Sequence, residues 1–214
     1  MVISPGQKAI EQAGFDRCGG HPALDFVNTL DNRFNDRGRI EGLQTYDDLL
    51  RFSYETRLLD SAVGRQIAET LTPGAAARAL RAARSLREAL ATVFYGVLEG
   101  RRPPTVDLET LEHYVHSADR HRELHWQRGT DEHAALAWSW PSDIGNAELP
   151  VWVVAQAALD LLLSPEVKRV RACEADTCRW LFLDTSKNHM RRWCKMKVCG
   201  NRMKARRFQA RHSA

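Results

Sequence analysis

The chain contains the stretch CEADTCRWLFLDTSKNHMRRWCKMKVCG, residues 173–200. Its cysteines form two C-x4-C pairs separated by fifteen residues, namely Cys173, Cys178, Cys194 and Cys199. Zinc favours four thiolate ligands in a tetrahedron, and two close pairs joined by a loop can supply them. The spacing therefore predicts one zinc ion. Because four thiolates leave no open coordination position, this zinc is expected to be structural and not catalytic.

Two other arrangements of these cysteines are open. Disulfides would need an oxidising compartment, but the N-terminal residues do not resemble a secretory signal, so reduced thiols in the cytoplasm are expected. Unpaired cysteines in a core are the second alternative. His189 lies between the pairs and could replace a thiolate, although four cysteines already complete the shell. Cys18 is far away in sequence, has no evident partner, and is expected to be a buried or inert thiol.

The residues around the cysteines indicate a small unit of short strands and a terminal helix. Residues 179–183 can form a strand, and residues 184–186 a turn that returns the chain to Cys194. Residues 203–211 then have the composition of a helix. A segment of this size cannot fold on apolar burial alone, so zinc binding is expected to supply its folding free energy.

Charge is distributed unevenly, although the net charge is only +4. Residues 165–214 contain 14 Lys or Arg against 4 Asp or Glu, a net +10, whereas the other 164 residues carry 17 against 23, a net −6. A basic segment on an acidic body is typical of proteins that bind nucleic acid or another polyanion. A merely solvated tail would have the same composition.

The terminal helix indicates how such binding would occur. In helical projection Lys204, Arg207 and Arg211 share one face, which could neutralise DNA phosphates. Phe208 falls on another face, where it is expected to brace the helix. The candidate nucleic-acid contacts are Arg202, Lys204, Arg206, Arg207 and Arg211. The alternative is a solvated helix face.

Helical patterns dominate the first part of the chain. Thr45 and Asp48 form a capping box before an amphipathic run, and a second helix is expected between Pro73 and Gly100. Further helices are predicted over residues 106–120 and 150–163, and a small hairpin is predicted from two segments, residues 123–127 and 135–140.

These patterns predict a mainly α protein with a small β-hairpin, divided at Ser164. Residues 1–163 would form a helical domain, and residues 164–214 a zinc-binding module with short strands and a basic terminal helix. The apolar run over residues 151–163 is interrupted by Gln156 and Asp160 and is too short to cross a membrane.

A polar cluster near the N-terminus is a candidate effector pocket. Asp25, Asn28 and Thr29 lie in an otherwise apolar segment, and buried polar groups need partners. They could bind a small-molecule effector, or they could satisfy nearby backbone groups, which we favour.

The motif Cys199–Gly200–Asn201–Arg202, with Arg192–Trp193–Cys194 and Leu181–Phe182–Leu183–Asp184 before it, resembles the CGNR zinc-finger family of bacterial proteins. The segment GHPALDFVNT, residues 20–29, resembles the opening of the ABATE domain that accompanies this finger. Family members are regarded as stress-induced transcriptional regulators. The resemblance implies DNA binding by the finger, and sensing or assembly by the helical body.

The sequence thus predicts a cytoplasmic, DNA-binding transcriptional regulator with one structural zinc ion. The partners expected are DNA, a small-molecule effector and a second copy of the chain, with no membrane. Two alternatives are a zinc-stabilised adaptor between proteins, and a small-molecule sensor or enzyme in the helical body. No G-x-S-x-G, P-loop or dinucleotide glycine pattern occurs, so we expect no enzymatic activity.

Overall fold

The computed structural model describes residues 14–35, 38–128, 134–141 and 145–212. Helices dominate these residues, as the sequence predicts. The helices are α1 (Pro22–Val27), α2 (Tyr46–Glu55), α3 (Ser61–Thr70), α4 (Pro73–Leu98), α5 (Thr105–His121), α6 (Leu149–Leu163) and α7 (Asn201–His212). Two shorter pieces are a 3-10 turn over Pro165–Arg169 and a π-helical turn over Met196–Gly200.

The strands form antiparallel pairs of two. They are β1 (Leu30–Asp31) with β2 (Ile40–Glu41), β3 (Glu123–Arg128) with β4 (Ala134–Ser139), and β5 (Val170–Ala172) with β6 (Leu181–Leu183). The β3–β4 pair is the predicted hairpin, and the β5–β6 pair lies just before and within the cysteine-rich stretch. The predicted strand over residues 179–183 is shorter in the structure.

Helix starts follow from local capping chemistry. Thr45 accepts a hydrogen bond from the N–H of Asp48, whose side chain bonds back to the N–H of Thr45, so the predicted capping box is present. Helix α4 begins with Pro73 at its first position and Thr72 as its cap. Helix α3 was not predicted, although Asp60 caps it through the N–H groups of the first turn.

Helix α6 lies at the centre of the apolar core. Its first seven residues, 149–155, are all buried, and it packs against α1, α4 and α5. Burial on nearly all sides explains why its sequence lacks a polar face. Among the described residues, no helix combines the length and apolar character needed to span a bilayer.

The β5–β6 pair belongs to the same core. Val170, Leu181 and Leu183 are buried against residues of the helical body, and β6 packs on α1. Residues on both sides of Ser164 therefore share one hydrophobic core, and the cysteine-rich stretch grows out of that core.

Candidate metal centre

The four predicted zinc ligands converge. Their Sγ atoms all lie within 4.8 Å of one another, and all four residues are buried. The Sγ of Cys194 lies 3.6 Å from that of Cys178 and 3.6 Å from that of Cys199. Tetrahedral zinc with Zn–S bonds of ~2.3 Å places its sulfur atoms about 3.8 Å apart. The cluster therefore has the size and the donor set that one closed, structural zinc site requires.

The thiols interact strongly with each other. Hydrogen bonds from Cys173 and Cys178 hold the pKa of Cys194 well below its usual range, because they stabilise its thiolate. Burial, followed by the charge at Cys194, raises the pKa of Cys199 to about 12. Zinc supplies the positive charge that lets four buried thiolates coexist, so its binding is expected to release protons.

Backbone turns hold each cysteine pair. The N–H of Cys178 donates to the carbonyl of Ala175, and the N–H of Cys199 donates to the carbonyl of Lys195, both at 2.9 Å. The N–H of Cys173 donates to the carbonyl of Trp180 at 2.8 Å, which continues the β5–β6 ladder to the first ligand. One pair therefore sits in the loop between two strands, and the other leads into α7.

A buried carboxylate orders the segment between the pairs. Asp184 has no exposed surface and accepts hydrogen bonds from the N–H and hydroxyl of Ser186 and from the N–H of Arg191. The Arg191 guanidinium lies 4.3 Å from the centre of the Phe182 ring. The Nδ1 atom of His189 lies 3.1 Å from the carbonyl of Asp184, so this side chain is engaged outside the sulfur cluster.

Residues 20–165 match the ABATE family, whose description is "Putative stress-induced transcription regulator". The chain belongs to this family. Residues 169–212 match the CGNR zinc finger and include all four cysteines of the cluster. Both resemblances drawn from the sequence motifs are thereby confirmed. Among curated proteins, no sequence matches the chain.

Hydrogen bonds from the opening motif, and from Gly19 just before it, attach the CGNR finger to the ABATE domain. The side-chain amide of Asn28 pairs with the backbone of Leu181, donating to its carbonyl at 2.8 Å and accepting from its N–H at 2.9 Å. The carbonyl of Gly19 accepts from the N–H of Leu183 at 2.7 Å. A Cβ at position 19 would lie 2.6 Å from an oxygen of Asp25, so a side chain there would force that carboxylate to shift.

Two of the three candidate effector residues, Asp25 and Asn28, lie at this junction, whereas Thr29 bonds within the helical body. Asp25, Asn28 and Thr29 are each buried, and their side chains bond within the protein. Asp25 accepts from the N–H of Gly19 at 2.8 Å, and burial raises its pKa to about 7. It also borders an open cavity of about 400 Å³ with neighbours that include His21. Through these bonds Asp25 and Asn28 help to join the helical body to the finger.

Cys18 lies half-buried beside the zinc cysteines, a contact that its position in the sequence does not indicate. It packs against the zinc cysteines, and a side-chain hydrogen bond with Cys194 is the main reason why its pKa lies far above the usual value. Its carbonyl accepts from the guanidinium of Arg191 at 3.0 Å, and the neighbouring Asp16 pairs with Lys195 at 2.6 Å. Cys18 and Cys194 are distant in sequence, so no local pattern could reveal this contact.

The five candidate DNA contacts separate into two groups. Arg202 donates to the Sγ of Cys199 at 3.2 Å, and Arg206 pairs with Asp176 at 3.5 Å, so these two side chains face the finger. We call them the inner cations. All five side chains are exposed, but the other three make no hydrogen bond or short ion pair with any residue in the described ranges. At longer range Arg207, after Arg192, helps to hold the pKa of Glu174 below its usual value. We call Lys204, Arg207 and Arg211 the outer cations.

The predicted bracing role of Phe208 is wrong. Its side chain is 64% exposed and stacks on His212, with ring centres 4.0 Å apart. Helix α7 has no buried residue in its described length, because it projects from the finger and is attached mainly at its start. Arg202 and Arg206, and not Phe208, make the contacts that hold the helix against the finger.

Proposed function

We propose that the protein is a DNA-binding transcriptional regulator, not an enzyme, in which the outer cations of α7 contact DNA phosphates. The observation that carries the proposal is the division of charge on this helix. The inner cations have partners in Cys199 and Asp176, whereas the outer cations have no hydrogen bond or short ion pair among the described residues and are free to meet a polyanion. The family description supports a regulatory role. Such a role places the protein in the bacterial cytoplasm, beside the chromosome.

The zinc site supports this use of the helix. Cys199 is buried among the sulfur atoms two residues before α7 begins, so the metal fixes the position and direction of the helix start. The helix then extends into solvent without packing on the body. A rigid start and a free basic face suit a helix that docks on a duplex, because little conformational freedom is lost on binding.

The test is fluorescence anisotropy of a labelled duplex at several salt concentrations. The wild-type zinc-loaded chain is compared with a variant in which Lys204, Arg207 and Arg211 are all Ala. We expect the variant to bind more weakly to every sequence. The slope of log affinity against log salt should flatten by about three units, since each phosphate contact contributes about one.

A matched control removes three positive charges elsewhere. Arg65, Arg78 and Arg81 are exposed on helices α3 and α4 of the body, and changing all three to Ala gives the same net charge as the α7 variant. This control should keep most of the wild-type affinity and salt slope. Equal losses in both variants would show that only net charge matters. Unchanged affinity in the zinc-loaded α7 variant would remove the helix from the interface.

An adaptor role for the finger is the second candidate. Met190, Val198 and Phe208 are exposed apolar side chains on the finger, and exposed apolar surface is more typical of protein than of DNA contacts. An adaptor would bind an acidic protein surface, and duplex DNA would not compete for that binding. We favour DNA because α7 carries three outer cations and, among its described residues, one exposed large apolar side chain, Phe208.

The ABATE body is the part in which a sensing role is proposed. The junction around Asp25 and Asn28 joins the body to the finger, so a ligand in the adjoining cavity would act directly on the finger's attachment. We propose that any effector would reach DNA binding by this route.

A further inference from the structure

The β3–β4 hairpin exposes a cluster of large apolar side chains. Leu124, Trp126, Leu136 and Trp138 are 56, 72, 65 and 54% exposed, respectively. Side chains on a strand alternate between its two faces, and residues opposite each other share a face. Leu124 pairs with Trp138 and Trp126 pairs with Leu136, so all four side chains lie on one side of the hairpin. We call this surface the hairpin face.

The hairpin face exposes a large apolar area to water. With ordinary side-chain areas, the exposed parts of two Trp and two Leu amount to roughly 500 Å². This is near the upper end of apolar patches on monomeric proteins. A two-stranded hairpin is only marginally stable by itself in water, so packing another layer of protein against this one would stabilise it.

We propose that the hairpin face is an interface between two copies of this chain, related by a two-fold axis. The pairing register makes the face self-complementary. Leu and Trp occupy opposite diagonals of a two-by-two array, with Leu124 beside Trp138 and Trp126 beside Leu136. A two-fold axis lying between two such faces, along or across the strands, sets every Trp of one copy over a Leu of the other.

The area agrees with this occupant. Two hairpin faces in contact bury roughly 1,000 Å², which is about the minimum for a specific protein interface. The four side chains of the hairpin face are all apolar, and the Arg122 guanidinium over Trp138 is already paired with Asp119, which disfavours DNA or an acidic protein as the partner. An identical apolar face is the surface that matches it in both shape and polarity.

Trp138 is fixed for this role before any partner binds. The guanidinium of Arg122 lies 4.5 Å from the centre of its ring, and Arg122 is itself paired with Asp119 at 2.6 Å. The ring also borders a cavity of about 250 Å³ that includes Trp140 and Val153. An aromatic side chain held in place loses little freedom on association, as interface anchors require.

The experiment measures the mass of the zinc-loaded full chain by sedimentation velocity, from about 1 to 200 μM. We expect reversible conversion from the 24.3 kDa monomer to a dimer of twice that mass. Trp126→Thr and Leu136→Thr preserve strand propensity but remove half of the apolar face. Together they should weaken dimerisation at least a hundredfold, because each copy contributes both changes.

Val106→Thr is the matched control. Val106 is 64% exposed in the first turn of α5, about 22 Å along the helix from the end that precedes β3, so its loss should leave the dimerisation constant unchanged. A chain that stays monomeric at 200 μM would overturn the proposal and leave the face to a different protein. A dimer that Trp126→Thr and Leu136→Thr do not weaken would overturn it as well.

Hydrogen exchange on the wild-type chain tests the same surface without any substitution. Raising the protein concentration through the dimerisation range should protect amides in β3 and β4. Added protection confined to another part of the chain would contradict the proposed interface, whatever the folding of the variants.

Discussion

The helical body and the zinc finger are held together by opposite means. In the body, a large apolar core is shared among many side chains around α6, and no single contact dominates. In the finger, the buried cluster consists of four cysteines with only a few apolar neighbours such as Phe182. The comparison teaches that stability is distributed in one region and concentrated at one ion in the other. A single substitution should therefore have very different consequences in the two.

The junction between them is intermediate. Strand β5 leads from the core of the body to the first ligand, Cys173, and β6 returns from the second ligand, Cys178, to that core. Asn28 bonds to the backbone of Leu181 at this point. Loss of zinc should consequently unfold the finger only as far back as this junction. Substitutions at the metal site should have the largest effects, those at the junction smaller effects, and those on α7 the smallest.

Cys194→Ser should have the largest effect. Cys194 is in sulfur contact with two other ligands, so its loss opens the shell and removes a binding free energy of about 10 kcal/mol or more from the finger. We expect zinc content to fall below one equivalent and amides after Asp184 to lose protection from exchange. Helices α4, α5 and α6 should stay protected. Zinc assay and hydrogen exchange measure the two outcomes.

Cys18→Ser is the control for that prediction. Cys18 packs beside Cys194 but lies outside the four-sulfur cluster, so this variant should retain one zinc ion. Loss of protection throughout α4 to α6 in Cys194→Ser would contradict the contrast between the two regions. It would mean that the body depends on the metal as much as the finger does.

Asn28→Ala should have an intermediate effect at the junction. The change leaves the buried N–H and carbonyl of Leu181 without partners, which should lower the free energy of unfolding by about 3 kcal/mol. Urea denaturation followed by circular dichroism measures it. Gln156→Ala removes one exposed amide hydrogen bond to Asp119 and should change stability by less than about 0.5 kcal/mol. Equal effects of the two changes would show that the junction adds nothing.

Local chemistry made much of this architecture predictable. Three predictions rest on interactions over a few residues, and each is confirmed. They are the capping box at Thr45, the helix between Pro73 and Gly100, and the metal cluster of the two C-x4-C pairs. Helix α3 could have been found from Asp60, which is a good N-cap, and from Val63, Ile67 and Leu71, which recur at helical spacing and pack on the core.

What could not be predicted depends on contacts between distant residues. Cys18 lies near Cys194, and Asn28 bonds to Leu181. Each contact links segments more than 150 residues apart, and no sequence pattern indicates such contacts. The error over Phe208 has the same origin. A helical projection shows which residues share a face, but not which face the rest of the protein covers. Here Arg202 and Arg206 turn toward the finger instead.

Phe208→Ala should have the smallest effect. A brace would bury its ring against the finger, and its loss would cost several kcal/mol and weaken zinc retention. The ring is instead exposed and stacks on His212 within its own helix, so we expect a change below about 0.5 kcal/mol and one zinc ion retained. Competition with a chromophoric chelator measures zinc retention for the wild type and the variant side by side. Faster zinc loss from Phe208→Ala would restore the bracing role and place α7 against the finger. Equal rates would leave the start of the helix, at Cys199 and Arg202, as its main anchor, with the outer face free for a partner.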